Sequence, residues 1–131
     1  MNLRAISITL SVGVLLGIMG FGLHTASLRS IVDVLVISLF ILSFSGFPPI
    51  VSIMLAGCAK NAISQTVSAM ASLLYGLWFA YAVYDCFYVN LDAQSGLIFI
   101  FVGFWALPVL LLLWLAALVI EIRHRKKQAE P

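Results

Sequence analysis

Charge is scarce in this sequence: seven basic and five acidic side chains among 131 residues, or 9%. A soluble domain carries roughly a quarter charged residues, because its surface must be wetted. So few charges cannot cover a water-exposed globule of this size. With 63% hydrophobic residues and a mean hydropathy of +1.15, the expected solvent is lipid.

Several chemistries are missing as well. No ionisable side chain interrupts the middle of an apolar run, whereas a proton- or sodium-coupled carrier needs a carboxylate inside the membrane. The small four-helix drug carriers place an acidic residue in their first span; the corresponding stretch here offers Ser7, Thr9 and Ser11 and no carboxylate. Cys58 and Cys86 are separated by roughly 40 Å of helix, which no disulfide within one chain can bridge. No CxxC is present for disulfide exchange. The two histidines, His24 and His124, lie near opposite boundaries, so no haem clamp and no cluster with metal-ligand spacing is expected. The residue inventory therefore predicts no catalytic group, cofactor, metal or nucleic-acid partner.

What the chain does have is apolar length. Uncharged runs cover 5–28, 34–59, 61–84 and 93–120, and about 20 apolar residues suffice to cross the hydrocarbon layer as a helix. Strands of a barrel would alternate apolar and polar residues, which the run Leu110-Leu111-Leu112-Leu113 does not. The expected fold is all-α: one transmembrane domain, a four-helix bundle with spans of about 5–25, 31–57, 62–84 and 95–120, and a basic tail over 121–131. The first apolar run exceeds the 7–15-residue core of a signal peptide and no A-x-A site follows it, so it is read as a retained helix.

Basic residues beside membrane spans stay in the cytoplasm. With both termini inside, Arg4, Lys60, Arg123, Arg125, Lys126 and Lys127 are cytoplasmic and only Arg29 is outside; the inverted arrangement reverses that count. Pro48-Pro49 raises a rival in which the second segment turns back as a re-entrant hairpin. That would expose the basic tail on the outside, so a full span kinked at Pro48-Pro49 is preferred, with Ser43, Ser45 and Ser52 near enough to help satisfy freed carbonyls. Pro108 predicts a second kink, in the fourth span. Loops this short suit a bacterial inner membrane.

Lipid tails are as apolar as leucine, so membrane helices associate by close backbone approach and hydrogen bonding. Ser64, Ser68, Ser72, Gly76 and Ala80 give the third span a small residue at every fourth position. Such a stripe drifts about 40° per step round a helix of 3.6 residues per turn, which two partners could share, so this helix is expected at the centre of the bundle. Thr9, Gly13 and Gly17 form a shorter patch on the first span, read as intramolecular packing rather than as a dimer surface. The leucine-rich fourth span is expected to face lipid or a partner.

Among the acidic residues, Ser30-Ile31-Val32-Asp33 reads as a capping box opening the second helix, and Asp92 suits the start of the fourth. Asp85 follows the third span, at the negative end of its dipole, where local structure gives it no favourable role. It is the candidate for function or tertiary contact, with Arg29 on the same side as its expected partner. The tail Arg123-His124-Arg125-Lys126-Lys127 is suited to anionic lipid, at about 1 kcal/mol per charge. These features favour a non-enzymatic protein acting through helix–helix or outer-loop contacts with another membrane protein or with itself, as accessory and immunity-type proteins do. The alternative is a small homo-oligomeric channel or holin-like pore, its path lined by Ser38, Ser43, Ser45, Ser52, Gln65, Thr66 and Ser72.

Overall fold

The computed structural model describes residues 2–26, 28–89 and 97–130, and these are helical almost throughout. They form five α-helices: α1 (Leu3–Thr25), α2 (Ile31–Phe44), α3 (Phe47–Cys58), α4 (Ala62–Tyr84) and α5 (Ile98–Ala129). A π-helical turn, Asp85–Val89, prolongs α4. Helices α1, α4 with its extension, and α5 are each long and apolar enough to cross a membrane, and the pair α2 and α3 would make a fourth crossing if counted together. Asp92 and the first residues of the expected fourth span, 95–96, lie outside the described residues.

Short polar residues start the helices as their chemistry dictates, by accepting bonds from backbone N–H groups that lack a partner in the first turn. Asn2 Oδ1 accepts from Arg4 N at 3.2 Å, and Asn61 Oδ1 from Ile63 N at 2.9 Å. At α2, Ser30 Oγ accepts from Asp33 N at 3.2 Å, while Asp33 Oδ2 accepts from Arg29 N at 3.1 Å. The carboxylate thus reaches one residue further back than the usual capping box.

The second apolar segment is two helices meeting at 64°. Pro48 and Pro49 do not sit at the bend itself. They occupy the first turn of α3, where a missing N–H leaves no hydrogen bond unmade. The break falls just before them, at Ser45–Gly46, whose two N–H groups both go to Ile41 O at 2.8 Å. Groups released by a break in an apolar medium must be satisfied from elsewhere. Tyr75 of α4 donates its hydroxyl to Ser45 O at 2.6 Å, and Ser45 Oγ donates to Phe99 O of α5. Pro108, by contrast, lies inside α5, which continues through it.

Helix α4 packs against α1, α3 and α5. The core joins Ile18, Ile41, Tyr75, Phe79, Val102 and Trp114 among others. Polar contacts set the register between helices: Ser7 Oγ donates to Gln65 O (3.1 Å), Ser11 and Ser72 share a bond of 2.6 Å, Ser64 Oγ donates to Ala117 O (3.0 Å), and Trp114 Nε1 donates to Ser52 Oγ (3.2 Å). Close backbone approach occurs at Gly103, where an added Cβ would strike the Phe44 carbonyl oxygen, and at Gly22, where it would strike Ile41. Gly20 has open space beside it. Gly103→Ala is expected to destabilise the protein in detergent by about 1–3 kcal/mol through overpacking. Gly20→Ala should leave stability unchanged or slightly raised, as thermal or denaturant unfolding of the two variants will show.

Candidate functional site

Three places gather chemistry: a clasp at one end of the bundle, an aromatic pocket at the other, and an apolar groove along α1 and α4. The clasp is built on Glu121, the first residue past the apolar stretch of α5. Its two carboxylate oxygens accept from the backbone N–H groups of Lys60 and Asn61, each at 3.0 Å. Arg125, one turn on, donates Nε to Glu121 Oε1 at 3.0 Å and its second guanidinium nitrogen to Cys58 O at 2.8 Å. Arg4, from the start of α1, donates to Ala59 O at 2.7 Å, and Gln65 Nε2 to the same oxygen at 2.9 Å. The α3–α4 junction is therefore held by α1 and α5 together. Glu121 is 7% exposed, and burial alone would raise its pKa. The N–H groups of Asn61 and Lys60, with the hydrogen bond and charge of Arg125, outweigh that and lower it from 4.5 to about 2.

At the other end of α4, Asp85 is half-buried at the start of the π turn. Its N–H still bonds to Tyr81 O and Ala82 O, so it lies within a continuing helix rather than beyond its end. With Trp78, Tyr81 and Cys86 of α4 and Phe101 and Trp105 of α5 it lines a cavity of about 320 Å³. Among the described residues Arg125 and Glu121 form an ion pair, and the Arg29 backbone N–H is held by Asp33.

The two small-residue stripes part company. Ser64, Ser68 and Ser72 are buried and face other helices; Ser68 Oγ is the buried polar side-chain atom without a hydrogen bond among the described residues. Further along, Gly76 is half-buried, an added Cβ there meeting Val14 at 3.0 Å, and Ala80 is exposed. On α1 the expectation of intramolecular packing at Gly13 and Gly17 is corrected. Both are exposed, with no atom within 4 Å of an added Cβ. The face of α1 turned inward carries Ser7, Ser11, Ile18 and Gly22 instead. Thr9, Gly13 and Gly17 line, with Gly76 and Ala80, an open apolar groove of about 910 Å³ between α1 and α4.

Of the polar residues considered as a path, Ser45, Ser52, Gln65 and Ser72 are buried and hydrogen-bonded within the chain. Ser43 and Thr66 are exposed and bond back to Leu39 O and Ala62 O of their own helices, the usual resort of a hydroxyl on a membrane helix. Among the described residues no three His, Cys, Asp or Glu side chains come together as metal ligands. Cys58 and Cys86 are free. Glu121 was not singled out by sequence, although it is the only acidic residue between the fourth apolar run and the basic cluster and stands four residues before Arg125, the spacing of a helical ion pair.

Because the folded pKa of Glu121 is depressed, the stability it contributes is present above about pH 4.5 and is lost as pH falls toward about 2. Wild-type protein in detergent should lose thermal stability across that window. Glu121→Gln should start lower at neutral pH and show a flatter acid limb, read as melting temperature against pH.

The chain matches no protein-family model, no curated protein and no solved structure, so its activity has to be reasoned from its own residues.

Proposed function

We propose that this is a four-crossing membrane protein with both termini in the cytoplasm. It works by seating a transmembrane helix of another membrane protein in the groove between α1 and α4. The role is an accessory or immunity-type one rather than catalysis, in a membrane such as the bacterial inner membrane. The observation that carries this reading is the open row Thr9, Gly13 and Gly17, facing Gly76 and Ala80 across the groove. Small residues let two helix backbones approach closely in lipid, where apolar side chains alone give no preference for protein over acyl chain. The lining runs on α1 from Ala5 to Phe21, about 24 Å of helix, which is most of the hydrocarbon thickness of about 30 Å. That length suits a crossing helix. The alternative of a homo-oligomeric pore needs a polar path, and the engagement of Ser45, Ser52, Gln65 and Ser72 inside one chain favours the interaction reading.

The orientation has two supports. Arg4, Lys60 and Arg125 gather at the Glu121 end, and basic residues favour the cytoplasmic side. The pair α2 and α3 starts near the far end of α1 and finishes at Ala59, against Arg4 at the near end. That course supports a single, bent crossing over a hairpin returning to its own side.

The native cysteines test the orientation directly. A membrane-impermeant thiol reagent added to intact cells should label Cys86, and should reach Cys58 only after permeabilisation; the reverse order would overturn the arrangement. For the groove, a photo-crosslinking residue at Gly17 should give, in native membranes, one discrete protein adduct that Gly13→Leu removes while leaving the melting temperature within a few degrees. Adducts with lipid alone would refute the helix-docking reading, and an adduct of twice the chain mass would replace the partner by a second copy.

A further inference from the structure

Docking of a helix in the α1–α4 groove makes no use of the tail, which continues α5 as a helix through the basic cluster to Ala129. Its last turn is closed by Glu130 N–H, which donates to Lys126 O at 3.2 Å. From Ile98 to Glu121 the helix rises about 35 Å at 1.5 Å per residue, against a hydrocarbon layer of about 30 Å. Glu121 therefore stands at the boundary, and the residues from Arg123 to Lys127 lie about 3–9 Å beyond it. The polar layer on each side of a bilayer is about 5–7 Å deep. The cluster is thus held at the level of the lipid headgroups by a rigid rod.

In the sequence the tail offers four fixed positive charges of equal standing. The helix divides them. Arg125 turns inward to Glu121 Oε1 and Cys58 O, where it belongs to the clasp. Arg123, Lys126 and Lys127 fall within about 100° of one another on the other side of α5, their middle about 150° from Arg125. All three are exposed, and among the described residues no ion pair or hydrogen bond engages their side chains, that of Glu130 included. Residues three and four apart are neighbours on a helix, with Cβ atoms about 5–6 Å apart. The same face continues into the apolar part of α5 as Val119, Ala116 and Leu112, at steps of four, three and four residues, and these are exposed too. One side of one helix therefore carries bare hydrocarbon below and three uncommitted cations above.

We propose that this face is a binding site for a phospholipid of net negative charge. Its acyl chain lies along Leu112, Ala116 and Val119, and its phosphate sits among Arg123, Lys126 and Lys127. Charge complementarity selects the sign. A zwitterionic headgroup brings its own ammonium toward the cationic cluster, which offsets part of what its phosphate gains. The apolar row selects lipid over a soluble polyanion or an acidic protein segment, either of which would leave that row unused. The assignment rests on α5 crossing the bilayer and not on the α1–α4 groove, so either reading can fail without the other.

The test uses the intact protein in a nonionic detergent. Phosphatidylglycerol and phosphatidylcholine of identical chains are titrated in turn, and the lipid-bound fraction is read by native mass spectrometry. Phosphatidylglycerol is expected to bind roughly tenfold more tightly or better. Arg123→Gln, Lys126→Gln and Lys127→Gln should each weaken it roughly fivefold. The double variant Lys126→Gln/Gln128→Lys keeps the net charge but moves it to the other side of α5, and should weaken binding as much. Arg125→Gln should lower the melting temperature yet hold binding within about twofold of wild type; if that chain does not fold, the double variant carries the test. Equal binding of the two lipids would overturn the assignment. So would wild-type binding by the double variant, a loss with Arg125→Gln as large as with Lys126→Gln, or displacement of the lipid by free glycerol phosphate.

Discussion

Inside a bilayer no water is at hand to bond a stray N–H or C=O, so every interruption of a helix must be repaired by the protein itself. The interruption at Ser45–Gly46 is where this constraint shapes the molecule. Its N–H groups turn back to Ile41, its carbonyl takes the Tyr75 hydroxyl, and its side chain bonds to Phe99. The bend of 64° that results carries α3 across to α1 and α4. That in turn brings Cys58 and Ala59 within reach of Arg125 and Arg4. Without the Tyr75 hydroxyl, the bend would leave the Ser45 carbonyl unbonded in an apolar phase.

Around that break the bundle is held by many small contributions. Interhelical hydrogen bonds in membranes average about 0.6 kcal/mol each, because polar groups of separated helices also find partners. Bonds such as Ser7–Gln65, Ser11–Ser72 and Ser64–Ala117 therefore select one register rather than drive association. Close packing at Gly22 and Gly103, where a methyl group would not fit, supplies the rest. Glu121 acts differently: a carboxylate with three N–H donors, two of them from the backbone of another helix junction, is a strong and directional tie.

With the buried polar side chains of the described residues bonded within the chain, Ser68 Oγ apart, two surfaces stand out. One is the open face of α1, where Gly13 and Gly17 present bare backbone. The other is the space between the indoles of α4 and α5 beside Asp85. They lie on different sides of α4 and differ in chemistry, the first an apolar groove, the second lined by aromatic rings beside Asp85.

The sequence alone determined the apolar solvent, the all-helical class and one cap, the Ser30–Asp33 box at the start of α2; the second expected span is two helices and the expected tail continues α5 to Ala129. The solvent, the class and the cap follow from local quantities: hydropathy summed over a helix length, and short polar side chains one residue before it. It also placed Asp85 among the residues of interest, though for its position after a helix rather than within one. What only the tertiary structure decided was direction. On α1, Ser7, Ser11, Ile18 and Gly22 turn inward and Thr9, Gly13 and Gly17 turn out. Both rows contain small residues at helical spacing, and since lipid is as apolar as a core, hydropathy cannot tell one from the other. For the same reason the prolines marked a disturbance near the middle of the second segment but not its site. The break went to Ser45–Gly46, where Tyr75, remote in sequence, satisfies the Ser45 carbonyl and Phe99 O receives the Ser45 hydroxyl.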